Sequence, residues 1–203
     1  MITLPEPDIE FDEEKHLYTL RGVRLPSVTQ IMAPMSLMLY DGVPMEALEN
    51  AADRGTRAHE SVSNIVLYGI EEADEDTEPY VHAFLDFQRD YKPSWVASEY
   101  RTYHKAMRYA GTIDLIGYVT PDDDMGVDVV DLKCTAQFHS VMLATQIGAY
   151  AEALKSHGVQ IRNRYGLQLL KTGQYRFEKV EDGYKTFLHC LGVVNAMAQE
   201  RKA

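Results

Sequence analysis

The stretch 107–133, MRYAGTIDLIGYVTPDDDMGVDVVDLK, decides how the rest of the chain is read. Residues 107–119 and 127–133 are rich in Val, Ile, Leu and Tyr, and turn residues separate them, so two neighbouring antiparallel strands are expected. A strand's period of two sends Asp131 and Lys133 to one face and Leu132 to the other. Asp114 stands alone in an apolar run, with Ile113 and Leu115 pointing away from it. A carboxylate in such a place is costly to keep charged without a cation, a donor or a catalytic duty. On adjacent strands Asp114 and Asp131 converge at one end of the sheet, where they repel unless a cation sits between them. Oxygen donors of this kind suit Mg²⁺ or Mn²⁺, as one or two ions. Such an ion polarises a phosphodiester and lowers the pKa of a bound water, while Lys133 orients the nucleophile or offsets developing negative charge. The expected chemistry is phosphodiester hydrolysis.

Outward from that stretch the pattern predicts a mixed α/β (α+β) domain. Residues 9–25 alternate like a β-hairpin, and a short helical turn follows at 27–32. Apolar residues recur at helical spacing over 45–68 until Gly69 stops them, and Tyr80, Phe84, Phe87 and Tyr91 mark a second helix ended before Pro93. Residues 95–103 add a third strand to an antiparallel meander. A helix over 139–155, strands near 161–171 and 174–180, and a last helix over 182–201 complete a central mixed sheet flanked by helices. A single domain over 1–203 is expected: an N-terminal hairpin and turn (1–35), a catalytic core (45–180) and a C-terminal helix (181–203).

Composition narrows the class. No apolar run reaches the eighteen or so residues of a membrane helix, and the acidic start MITLPEPDIEFDEE is unlike a secretion signal, so a cytoplasmic protein with no membrane partner is expected. Cys134 and Cys190 stand far apart, which argues against a disulfide framework, a cysteine zinc site or an iron–sulfur cluster. Net charge is −11, which as a whole repels a phosphate backbone. Much of the excess lies in the acidic block 71–78 and in Asp122-Asp123-Asp124, both read as exposed loops, whereas Arg54, Arg57, Arg89, Lys92, Arg101, His104, Lys105 and Arg108 make the middle of the chain locally basic.

Four elements in order carry a resemblance: Arg54-Gly55-Thr56-Arg57-Ala58-His59, then Gly111-Thr112-Ile113-Asp114, then Asp131-Leu132-Lys133, then Gln146-Ile147-Gly148-Ala149-Tyr150. Together they resemble the RecB-type exonuclease branch of the PD-(D/E)XK nuclease superfamily, over roughly half the chain. That resemblance implies a restriction-endonuclease-like core with His59, Asp114 and Asp131 as metal ligands, the Leu132 carbonyl as a further ligand, and Lys133 as the catalytic lysine. It also implies Gln146 and Tyr150 as supports of the site and its approach to DNA. Glu99 resembles an acidic residue that some members place beside the metals. The implied activity is that of a Mg²⁺- or Mn²⁺-dependent exonuclease acting on single- or double-stranded DNA ends in recombination, repair or phage replication, in a bacterial or phage-infected cell. The implied companion is a single-strand annealing or single-strand-binding protein.

Each residue alone has a plainer reading. His59 would face solvent, Asp131 and Lys133 would form a surface pair worth under about 1 kcal/mol, and Tyr150 would belong to the apolar stripe of its helix. Two alternatives stand beside the nuclease: a catalytically silent nuclease fold serving as a DNA-binding or assembly module, and a nuclease acting on RNA. Because of the net charge, DNA tracking requires basic side chains around the metal site, Arg54 and Arg57 among them, or a ring-like homo-oligomer.

Overall fold

The computed structural model describes residues 3–6, 8–119 and 125–200. Asp122-Asp123-Asp124, expected as an exposed loop, and Arg201, where the last helix was expected to end, lie outside them. Residues 9–25 form not one hairpin but a three-stranded antiparallel sheet of β1 (Glu10–Asp12), β2 (Leu17–Leu20) and β3 (Val23–Leu25). The second reversal is made by Arg21 and Gly22, both at positive φ, a conformation that glycine adopts without strain. Ser27 then caps α1 (Val28–Ile31): the Gln30 amide donates to Ser27 Oγ at 3.0 Å and the Ser27 amide donates to Gln30 Oε1 at 3.1 Å.

An element absent from the sequence reading follows, α2 (Ala33–Leu39). It opens with Pro34 in its first turn and buries no residue fully, so it lacks the apolar periodicity by which helices are recognised. Long helix α3 (Met45–Tyr68) ends as expected, at Gly69 in the left-handed conformation. Next, α4 (Glu78–Tyr91) packs Phe84 and Phe87 beside Trp95.

The main sheet has five strands in the order β4 (Ser94–Tyr103), β5 (Ala110–Tyr118), β6 (Val127–Lys133), β7 (Ile161–Leu169) and β8 (Tyr175–Lys179). All neighbours are antiparallel except β6 and β7, which are parallel and joined by α5 (Ser140–Ser156). The sheet is therefore mixed, as expected. β5 begins three residues later than the residue pattern suggests, because His104 Nδ1 accepts the amides of Ala106 and Met107 and holds 104–109 as a turn. One face of the sheet, with Val127, Val129, Ile113 and Ile116, packs against α1, α5 and α6 (Tyr184–Glu200). The other, with Leu115, Val130 and Leu132, packs against α3 and α4. The small N-terminal sheet docks where β5 starts, with Tyr18 and Thr112 hydroxyls 2.8 Å apart. No helix among the described residues is long and apolar enough to cross a membrane.

Candidate active site

Strand register sets the arrangement. Asp114 falls opposite Asp131, one step beyond the Leu115–Val130 pair, and opposite Glu99, between the Ser98–Leu115 and Tyr100–Ile113 pairs. Residues directly opposite in antiparallel strands share a face, so three carboxylates form a row across β4, β5 and β6. At this point β5 and β6 part: the Leu132 amide donates to Asp114 Oδ2 at 2.6 Å, a side chain serving where the ladder stops. Glu99 takes φ 50°, a left-handed conformation that costs a non-glycine residue about 1–2 kcal/mol and marks its place in the strand as strained.

His59 reaches the row from α3, its Nδ1 lying 3.4 Å from Asp114 Oδ1. One donor atom each from His59, Glu99 and Asp114 lies within 4.8 Å of the others, a spacing that can hold a metal ion. The Asp131 side chain is 2% exposed and pairs with the Lys133 ammonium, and no other donor reaches its oxygens among the described residues. A buried carboxylate so poor in donors is costly unless a cation completes it. Oxygen atoms with one imidazole fit a hard divalent ion such as Mg²⁺ or Mn²⁺.

Lys133 Nζ also donates to Gln146 Oε1 at 3.2 Å, and Gln146 Nε2 donates to the Tyr150 hydroxyl at 3.2 Å. The strand's lysine thus meets Gln146, which is held in turn by Tyr150 one turn further along α5. The Tyr150 ring fills the space over Gly111, where a Cβ would come within 2.5 Å of it.

Electrostatics bind these groups into one unit. Burial pushes Asp131 up to about 6, Lys133 offsetting this in part and the Asp114 charge adding to it. Desolvation at the rim and the Asp114 carboxylate raise Glu99 to about 7, although the residue stays open to solvent. For Asp114 burial acts upward, but His59, Lys133 and the Leu132 amide outweigh it and hold the carboxyl below its usual range. Burial opposes charge on His59, yet Asp114 and Cys134 keep its pKa well above the ordinary histidine value. Without a cation the cluster retains protons, which a bound metal must displace.

Beside the cluster, on the His59 and Lys133 side, lies a cleft of about 500 Å³. Its walls carry Lys133, His59, His139 and the hydroxyls of Thr29, Tyr40 and Thr56; among the described residues lining it there is no carboxylate. In a chain of net charge −11 this is a local reversal. The basic lining expected from Arg54 and Arg57 is not what the cleft carries. Arg57 pairs with Asp53, Asp74 and Asp76, and Arg54 Nε donates to the Tyr80 hydroxyl at 3.2 Å. Arg89 and Arg101 are likewise paired, with Asp86 and Asp90 and with Glu13. The run of basic residues was legible in sequence; the carboxylates facing them were not. Cys134, an isolated cysteine to the sequence, proves to be a neighbour of His59.

No known family profile matches the sequence, and no curated protein matches it. Among solved structures the chain is similar to LHK-Exo in complex with dAMP, with a TM-score of 0.46 and 11% identity over 87% of this chain and 89% of that one. It is also similar to an alkaline exonuclease (LHK-Exo) from Laribacter hongkongensis, with a TM-score of 0.39 and 12% identity over 72% and 84% of the two chains. A third similar structure is SSO0001, with a TM-score of 0.38 and 10% identity over 72% and 74%. With so little shared sequence, the site is read from this chain's own residues.

Proposed function

We propose that the chain is a divalent-metal-dependent nuclease of the PD-(D/E)XK type that hydrolyses phosphodiester bonds in DNA from its ends. The observation carrying this reading is the carboxylate row Glu99, Asp114 and Asp131, closed by His59 on one side and Lys133 on the other, beside a cleft that no carboxylate lines among the described residues. Asp114, Asp131 and His59 would hold Mg²⁺ or Mn²⁺, with Glu99 and the Leu132 carbonyl as further donors. When bound, the ion supplies Lewis acidity toward the phosphoryl and leaving oxygens.

The chain's own groups do the rest. Lys133, aimed by Gln146, faces the negative charge that develops when water adds to phosphorus and one P–O ester bond breaks, leaving a phosphate monoester and a hydroxyl. Tyr150 keeps Gln146 from turning. Hydroxyls and His139 on the cleft wall accept the phosphate backbone without the repulsion that the rest of the surface imposes. The exonuclease mode, DNA as the substrate and a place in recombination or repair rest on the resemblance of the four motifs to the RecB-type branch.

Timed digestion of DNA and RNA labelled separately at each end, with Mg²⁺, Mn²⁺ or EDTA, tests the reading. Cleavage of DNA that requires the metal and falls at least about 10²-fold in Asp114→Ala, Asp131→Ala and Lys133→Ala is expected. Undiminished cleavage by a folded Lys133→Ala protein would overturn it. Absence of Mn²⁺ binding by calorimetry would favour the silent module, and preference for RNA would replace DNA as the substrate.

A further inference from the structure

Next to the cleft lies a second cavity of about 460 Å³, lined by Met35, Met38, Leu39, Phe138, Val141 and Met142 together with His139 and Ser140. The two share Phe138, His139 and Met142, all from the segment that leads out of β6 into α5. One wall therefore faces the cleft's lysine and hydroxyls, and also an apolar groove whose other wall is α2. Phe138 is held in place: its ring tip occupies the space over Gly166, where a Cβ would approach it to 2.6 Å, and the Arg176 guanidinium lies 5.2 Å from its centroid. Gly166 is the register partner of Asp131. Phe138 thus packs over the residue that pairs with Asp131 on the next strand. On the groove's far side Met38 is 84% exposed, an apolar side chain kept in water where the fold has no use for it.

A polar cleft that takes a charged phosphate and, continuous with it, an apolar groove of thioether and aromatic side chains have the two chemistries of a nucleotide in one line. A paired base in duplex DNA is stacked and cannot enter such a groove; an unpaired base can. We propose that the groove between α2 and the start of α5 binds an unpaired nucleobase of the strand being cut, so that the enzyme works on single-stranded or frayed ends. This rests on the nuclease reading of the neighbouring site.

The test uses the full chain, Mn²⁺ and single-stranded oligonucleotides in which one nucleotide after another, counted from the cleaved end, is made abasic. At one or two positions the missing base lowers kcat/KM about ten-fold, within the range set by stacking of a base on a protein surface. In Met38→Glu, a change at a solvent-facing position that leaves the core intact, the intact and abasic substrates converge. Equal cleavage of all abasic substrates by the wild type refutes the groove and leaves the nuclease standing. So does a Met38→Glu protein that keeps full discrimination but changes its mass in solution, which makes the groove a contact between copies of the chain. A wild type that cleaves a duplex with Mn²⁺ but no single strand refutes the groove alone, and one that cleaves neither refutes both readings.

Discussion

Replacing Asp131 with Asn in the metal-free protein should stabilise the fold while abolishing cleavage. Asp131 is buried, the Lys133 ammonium is the one donor that reaches its oxygens among the described residues, and Asp114 lies opposite it. Its carboxyl titrates at about 6 in the folded protein against an ordinary value of 3.8. The sign follows from linkage. A carboxyl whose folded pKa is raised favours the folded state while protonated, and that advantage is lost as pH rises from the unfolded to the folded value. At pH 8 the charged form therefore destabilises the fold, by about 1–3 kcal/mol. A neutral Asn of the same shape removes that cost. Lys133 is not stranded by the change, because it keeps Gln146 at 3.2 Å and its side chain is 27% exposed. Thermal unfolding in EDTA at pH 8 should give Asp131→Asn a midpoint higher by about 2–12 °C, using some 2–4 °C per kcal/mol for a chain of this size. The gain should shrink toward pH 5. Mn²⁺ should reverse the order, raising the wild type by about 2.7 kcal/mol at a hundred times its dissociation constant while barely moving the variant. An Asp131→Asn protein less stable than wild type in EDTA at pH 8, or one equally stabilised by Mn²⁺, would refute the reasoning.

Gly111→Ala places a Cβ 2.5 Å from the Tyr150 ring in a close-packed wall, and should cost about 1–3 kcal/mol in urea unfolding and lower kcat by displacing the support of Gln146 and Lys133. Arg162→Met removes the guanidinium paired with fully buried Asp128 at the opposite end of the sheet; a loss of about 3–5 kcal/mol is expected, with Mn²⁺ affinity unchanged when measured by calorimetry below the unfolding range.

Much of the site was already legible in the chain. Asp131 and Lys133 two apart on a strand must share a face, and an aspartate in an apolar strand must find a partner; both follow from local periodicity and the cost of burying charge. Helix α3 and its stop at Gly69 follow from 3.6-residue spacing and a residue free to adopt positive φ. Helix α2 could not be read this way, since a helix exposed on its apolar side presents no amphipathic pattern.

What the sequence by itself determined, then, was the order of elements from α3 onward, the sheet's mixed character and which carboxylates needed a partner. Tertiary structure alone decided the partners. Whether Glu99 stands opposite Asp114 depends on register between strands, and whether Arg57 is free for a ligand depends on Asp53, Asp74 and Asp76 folding back upon it. Likewise, that a chain of net charge −11 contains a cleft lined by no carboxylate among the described residues is a fact about where charges are placed in space, and composition carries no record of that.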